Sequence, residues 1–123
     1  MSDLLIPETV LKMLVDGIRL RALMLLLAEG ELCVCEISHG LDIIQPKISR
    51  NLTLLKNSQL IQGRREGKWI YYQIHPQLPL WAIDLLKAVH QGLAIDSPHH
   101  EDRKRLDVME NRPNRCSSDG QCG

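Results

Sequence analysis

Residues 45–74 read QPKISRNLTLLKNSQLIQGRREGKWIYYQI, and the change of period inside this stretch decides the fold. Pro46 suits the first turn of a helix, where its missing N–H would have no partner. Ile48, Leu52, Leu55 and then Leu60 recur at helical spacing and leave Lys47, Arg50, Asn51 and Lys56 outside. This predicts a helix from Pro46 to about Asn57. The period then changes. Leu60 to Arg65 and Lys68 to Ile74 read as two strands around Glu66-Gly67, because Trp69, Ile70, Tyr71 and Tyr72 are strong strand formers. A hairpin with a charged tip directly after an exposed basic helix has the form of a wing.

Working outward, a short helix over about Val34 to Gly40 is expected before the turn at Asp42-Ile43-Ile44, with Leu32, Ile37 and Leu41 as its apolar contacts. Ile18 to Ala28 is apolar almost all round and so predicts a deeply buried helix. Pro7-Glu8-Thr9 starts a first helix with Val10, Leu11, Leu14 and Val15 as its stripe, and Asp16-Gly17 breaks it. Downstream of Pro79, Leu80, Ile83, Leu86 or Leu85, Val89 and Leu93 mark a long amphipathic last helix. The order helix, helix, short helix, turn, helix, hairpin, helix is that of a winged helix-turn-helix, mainly α with a small β-hairpin. Residues 1–96 are read as one DNA-binding and dimerisation domain. Residues 97–123 are polar, with Pro98, Pro113 and few hydrophobes, and read as a flexible tail with a helical stub at Asp102 to Met109.

The core is expected to be aliphatic, since Phe is absent and the chain has only two Trp and two Tyr. Net charge is formally zero, so its distribution decides what it implies. From Gln45 to Tyr72 six basic residues stand against Glu66 alone, a net +5 that the rest of the chain balances with −5. The N-terminal segment carries an acid where a signal peptide needs bases, and the longest apolar run, Ala22 to Ala28, is far shorter than the ~20 residues that span a bilayer. A cytoplasmic protein with no membrane contact is expected. The four cysteines are then not expected to form a structural disulfide framework.

In a helix-turn-helix the second helix lies in the major groove and its first residues meet base edges. Gln45, Lys47, Ser49, Arg50 and Asn51 supply suitable groups: amides that pair with adenine, cations that reach guanine or phosphate, and a hydroxyl. Arg64, Arg65 and Lys68 on the hairpin are candidates for flanking phosphates. The competing reading is a basic solvated face on an ordinary domain.

Glu31-Leu32-Cys33-Val34-Cys35-Glu36 is the second chemical feature. Residues i and i+2 of a regular helix point roughly 200° apart, so the two thiols share one centre only if the helix start is unwound. Ligation there would distort the helix that supports the reading helix. Thiolates select soft ions and disfavour magnesium or calcium. Cys116 and Cys122 in the tail are further candidate ligands. The alternative is a pair of small buried apolar cysteines. His99-His100-Glu101-Asp102 holds metal-ligand types, read as incidental, and His90 is placed on a dimer face or the surface. No nucleophile-base set, phosphate loop or catalytic carboxylate pair stands out, so no enzyme is expected.

Over roughly residues 4–95 these features resemble the arsenical-resistance repressors of the ArsR/SmtB family. ELCVCE at residues 31–36 is similar to their metal-binding box, 45–52 to their recognition helix, Gly67 to Tyr72 to their wing, and Pro79-Leu80-Trp81-Ala82 to the start of their last helix. The resemblance implies a homodimer joined through the first and last helices, bound to an inverted-repeat operator in double-stranded DNA. It implies release when trivalent arsenic or antimony binds the thiols of Cys33 and Cys35, with no cofactor required. The familiar box has a third cysteine where this chain has Ser38, leaving the third ligand to Cys116, Cys122 or a small exogenous group. A two-thiolate site would suit a methylated arsenical such as methylarsenite. Ile44 also stands where a Ser-type N-cap is common, a loss of ~1 kcal/mol unless Asp42 or Gln45 substitutes. Asp84 and His90 do not reproduce the last-helix zinc site of other members. Rival readings are a thiol redox or persulfide-responsive repressor on the same fold, and a constitutive DNA-binding module.

Overall fold

The computed structural model describes residues 6–93 and 99–110. The elements run α1 (Pro7–Leu14), α2 (Gly17–Glu29), β1 (Leu32–Cys33), α3 (Val34–Leu41), α4 (Gln45–Asn57), β2 (Ile61–Glu66), β3 (Trp69–Ile74), α5 (Leu80–Leu93) and α6 (His99–Asp107). The winged helix-turn-helix order is present, with two elements added to it, β1 and α6.

α2 is the axis of the fold. Asp16 caps it by accepting from the Ile18 and Arg19 backbone N–H groups at 2.9 and 3.2 Å, satisfying donors that have no intrahelical partner. The break expected at Asp16-Gly17 is thus also the start of the next helix. Leu23, Met24, Leu25 and Leu26 are all buried, and four successive buried positions leave no helix face open to water. α1, α3, α4, α5, α6 and β3 all pack against α2. Each such Leu contributes roughly 1.5–3 kcal/mol by leaving water.

The sheet has order β1-β3-β2, antiparallel throughout. The wing is β2 and β3, paired from Ile61↔Ile74 to Glu66↔Trp69. Gly67 closes its tip at φ +62°, a left-handed conformation that glycine adopts without a Cβ penalty. β1 pairs Leu32 with Tyr72 and Cys33 with Tyr71. Two residues are too few to carry an alternating pattern, so this strand has no sequence signal of its own.

Within the stretch expected to be a flexible tail, the helical stub expected at Asp102 to Met109 is present as a longer helix, α6, that starts at His99 and is docked on the domain. α6 lies against α2 and α3. Asp102 is fully buried and takes Arg21 Nε and Nη2 at 2.9 and 2.7 Å, with Arg105 Nη2 at 2.7 Å. Arg105 Nε also donates to the Gly40 carbonyl at 2.9 Å. Gly40 permits this approach: a Cβ there would meet Leu25 Cδ2 at 3.0 Å and Leu106 Cβ at 3.6 Å. A charge-centred contact of this kind leaves little trace in hydrophobic periodicity. Among the described residues no helix is long and apolar enough to cross a membrane.

Candidate thiol site and nucleic-acid interface

α4 presents its first turns to solvent. Gln45, Lys47, Ser49 and Arg50 are exposed, while Ile48, Leu52 and Leu55 are buried beneath them. Ile44 is the N-cap and makes no side-chain cap bond, and Pro46 sits in the first turn. Neither Asp42 nor Gln45 replaces the missing cap: Asp42 instead ends α3 in the left-handed region at φ 59°.

Asn51 departs from the expected set of base readers. It is only 9% exposed. Its Nδ2 donates to the Lys47 carbonyl at 2.9 Å and its Oδ1 accepts from Arg19 Nη1 at 3.3 Å. Asn51 therefore ties α4 to α2 instead of facing outward with its neighbours. The signal available in sequence was its position, three residues after Ile48 and one before Leu52 on the inward side of the helix.

On the wing, the three expected basic residues differ. Arg64 is held by Glu31 at 2.7 Å and by Glu66, and lies 4.7 Å above the Tyr71 ring. Its charge is largely matched within the protein. Arg65 is exposed and donates to the Gly67 carbonyl at 3.3 Å. Lys68 is exposed, with its ammonium 5.3 Å from the centre of the Trp69 ring.

The thiols sit where strand becomes helix. Cys33 is the last residue of β1 and the N-cap of α3, extended at φ −84°, ψ 166°, so it lies outside the helical repeat. Cys35 is one residue inside the helix. The i, i+2 conflict of a regular helix is thereby removed, and the two sulfurs meet as a disulfide with Cα atoms 5.5 Å apart. A pair able to touch is a pair able to grip one soft centre once reduced. Cys33 N–H donates to Glu36 Oε1 at 2.8 Å, fixing the first turn of α3 around the pair. Tyr71, opposite Cys33, is buried, and that burial, reinforced by Glu66, Glu36 and Glu31 and opposed by Arg64, pushes its phenol pKa up.

Ser38 donates its hydroxyl to the Ile43 carbonyl, holding the turn between α3 and α4. Cys116 and Cys122 lie outside the described residues. His99 and His100 separate: His100 is exposed, while His99 is buried with its Nε2 3.2 Å from His90 Nε2. His90 is thus a contact between α5 and α6 within one chain. Among the described residues no group of three or more His, Cys, Asp or Glu is placed to hold a metal ion.

A cavity of about 270 Å³ opens beside the thiols. Its walls are Cys33, Val34 and Cys35 from the β1–α3 junction, Gln45 and Ser49 from α4, and Lys68, Trp69 and Ile70 from the wing. The thiol pair, α4 and the wing meet around one space.

The family model described as "Bacterial regulatory protein, arsR family" matches residues 16–62. The arsenic resistance transcriptional regulator ArsR1 of Pseudomonas putida is 46% identical over 116 residues, which is 92% of this chain and 87% of that relative. The chain belongs to the arsR family of bacterial regulatory proteins. The arsenical resistance operon repressor of Escherichia coli is 45% identical over 82 residues, covering 67% of this chain and 70% of that one. Among solved structures, the homodimeric winged helix-turn-helix DNA-binding domain Mb0332 of Mycobacterium bovis, a possible ArsR-family regulator, superposes with a TM-score of 0.59 at 36% identity, covering 71% of this chain and 76% of that one. Membership of the arsR family makes this chain a DNA-binding transcriptional regulator and not an enzyme.

Proposed function

We propose that this arsR-family chain is a metalloid-responsive repressor: a homodimer that binds an inverted-repeat operator and lets go when trivalent arsenic or antimony is held by Cys33 and Cys35. The observation that carries this reading is the convergence of the two sulfurs at the β1–α3 junction, beside Gln45 and Ser49 of the helix that would read DNA. The names of the relatives in Pseudomonas putida and Escherichia coli support the choice of arsenic.

Two protein thiols and arsenous acid give a dithiolate–As–OH and two waters, so no electrons move. With Ser38 engaged at the turn, the third position on arsenic is left to a hydroxyl, to Cys116 or Cys122, or to a carbon substituent as in methylarsenite. Metalloid binding shifts the protein towards a low-affinity state only by its differential affinity for the two states.

Dimerisation is assigned to α1 and α5. Leu11 and Val15 at the end of α1 are 52% and 81% exposed, and Leu80 and Trp81 at the start of α5 are 73% and 39% exposed. A second copy is the occupant that fits these apolar positions on the two helices. It would place two α4 helices about one DNA turn apart.

The disulfide contact favours one second reading, a redox switch in which peroxide takes two electrons and two protons from the pair and yields two waters. The test is retention of a promoter fragment by the reduced protein, titrated with arsenite, antimonite, methylarsenite or peroxide, for the full chain and for a chain ending before Cys116. Release by arsenite supports the metalloid reading. Release by peroxide alone supports the redox reading. A response lost on truncation assigns the third sulfur to the tail.

A further inference from the structure

We propose that Ile44 is a specificity-determining residue of the DNA interface, its side chain packing on the C5-methyl group of a thymine in the major groove. The proposal rests on α4 being the helix that reads DNA and adds to it the base that its N-cap residue selects.

Ile43 and Ile44 are neighbours in the turn between α3 and α4, and they part company. Ile43 is half-buried and packs against the core. Ile44 stays outside it, 70% exposed. Ile44 is also the N-cap of α4 and makes no side-chain cap bond. Ser, Thr, Asp or Asn at that place would accept a hydrogen bond from the first turn, and an apolar side chain cannot. At this exposure Ile44 does not replace the lost cap with packing in the core. A branched apolar group has thus taken the place of a stabilising polar one, at a position that the fold leaves in water.

What the position shares is a surface. Gln45, Lys47, Ser49 and Arg50 are exposed beside it on the opening turns of α4. In a helix-turn-helix the first residues of the second helix meet base edges in the major groove. Thymine is the base that presents an apolar group there, its C5-methyl, while the other bases offer hydrogen-bond donors and acceptors. Gln45, next in the chain, carries the amide that pairs with adenine, so the two adjacent side chains both favour A·T pairs.

The side chain is also held ready. The Ile44 carbonyl accepts from the Lys47 and Ile48 N–H groups, both at 3.2 Å. Ile43 N–H donates to the Ser38 carbonyl at 3.1 Å, and the Ile43 carbonyl accepts the Ser38 hydroxyl. The backbone on both sides of Ile44 is therefore fixed before DNA arrives. A β-branched side chain is stiff at χ1, so little freedom remains to be lost on contact.

The test uses the reduced full-length protein and a duplex selected by it from a randomised library. Each thymine of the selected site is replaced in turn by deoxyuridine, which removes the C5-methyl and nothing else. Affinities for wild type, Ile44→Ser and Ile44→Ala are read by fluorescence anisotropy over a range of salt. At one thymine of each half-site, uracil is expected to weaken wild type about fourfold, the scale of one buried methyl group. The salt slope should stay unchanged, since no phosphate contact is lost. Both variants are expected to bind the thymine and uracil duplexes alike at that position. Ile44→Ser should also unfold at higher urea than Ile44→Ala, because serine restores the cap, so that lost discrimination is not lost folding. The proposal is overturned if uracil weakens wild type at no thymine of the site, or if the uracil penalty persists in either variant. Failure of the underlying reading of α4 looks different: Gln45→Ala and Arg50→Ala then bind the selected duplex as wild type does, and the role of Ile44 falls with it.

Discussion

Cys35 and Gln45 wall the same cavity, the first from the opening turn of α3 and the second from the opening residue of α4. A ligand on the thiol and a base edge on the amide would therefore compete for neighbouring space. Coupling between the two needs no long path, only a change in the first turn of α3, where Cys33 N–H is tied to Glu36.

The exposed and buried polar residues of α4 should separate cleanly on mutation. Arg50→Ala is expected to weaken DNA binding across sequences and to flatten the salt dependence by about one counterion. Asn51→Ala is expected to cost roughly 1 kcal/mol of stability through the lost bonds to Lys47 and Arg19, with the salt slope unchanged. Salt-dependent anisotropy and urea denaturation, run on both variants, check the division.

Arg64 and Lys68 offer the same contrast on the wing. Glu31 and Glu66 already neutralise Arg64, whereas Lys68 faces only the Trp69 ring among the contacts seen. Lys68→Ala should lower the salt slope, by up to about one, and more than Arg64→Ala does. Equal slopes for the two variants would show that the ion pairs open on DNA.

Asp102→Ala removes the anion on which α6 is docked. Arg21 and Arg105 would be left facing a buried site, and their partial exposure, 24% and 35% for the side chains, lets water relieve part of the cost. A loss on the order of 2 kcal/mol is expected, read by urea denaturation. Hydrogen exchange should localise the change to α6 and to the face of α3 beneath it.

His99 gives α6 a pH dependence. Burial lowers its pKa from 6.5, helped by His90 and Arg103 and opposed by Asp102 and Glu29. In the unfolded chain the imidazole takes a proton below about 6.5, whereas in the fold it resists until lower pH. The neutral ring therefore stabilises the docked state above 6.5, and this contribution is lost as pH falls from there through the folded value. The expected observation is lower stability at pH 5.5 than at 7.5 in wild type, with a smaller difference in His99→Gln. An identical difference in both would remove His99 from the account.

How much of this was legible beforehand follows from what each element rests on. α2 and α4 were readable because Leu23 to Leu27 and the Ile48, Leu52, Leu55 series carry their burial in apolar side chains. The wing was readable from Trp69 to Tyr72. β1 was not, since two residues between α2 and α3 show no period. α6 was legible only as a helical stub within a tail, and its docking was not, because that depends on Asp102, Arg105 and Leu106 more than on a stripe. Asn51 misled because its residue type suits a base edge, while Arg19, distant in sequence, draws it inward. The need for a distorted helix start at Cys33 and Cys35 came from spacing alone. That the distortion is a strand end, and that it opens on Gln45 and Trp69, needed the tertiary structure.

The most direct test of the central claim is fluorescence anisotropy of a labelled promoter fragment bound by reduced protein and titrated with arsenite, comparing wild type with Cys33→Ser and Cys35→Ser. The account predicts that wild type is released, while both variants bind DNA as tightly as wild type and remain bound as arsenite rises. Release of either serine variant at the wild-type arsenite concentration would contradict it.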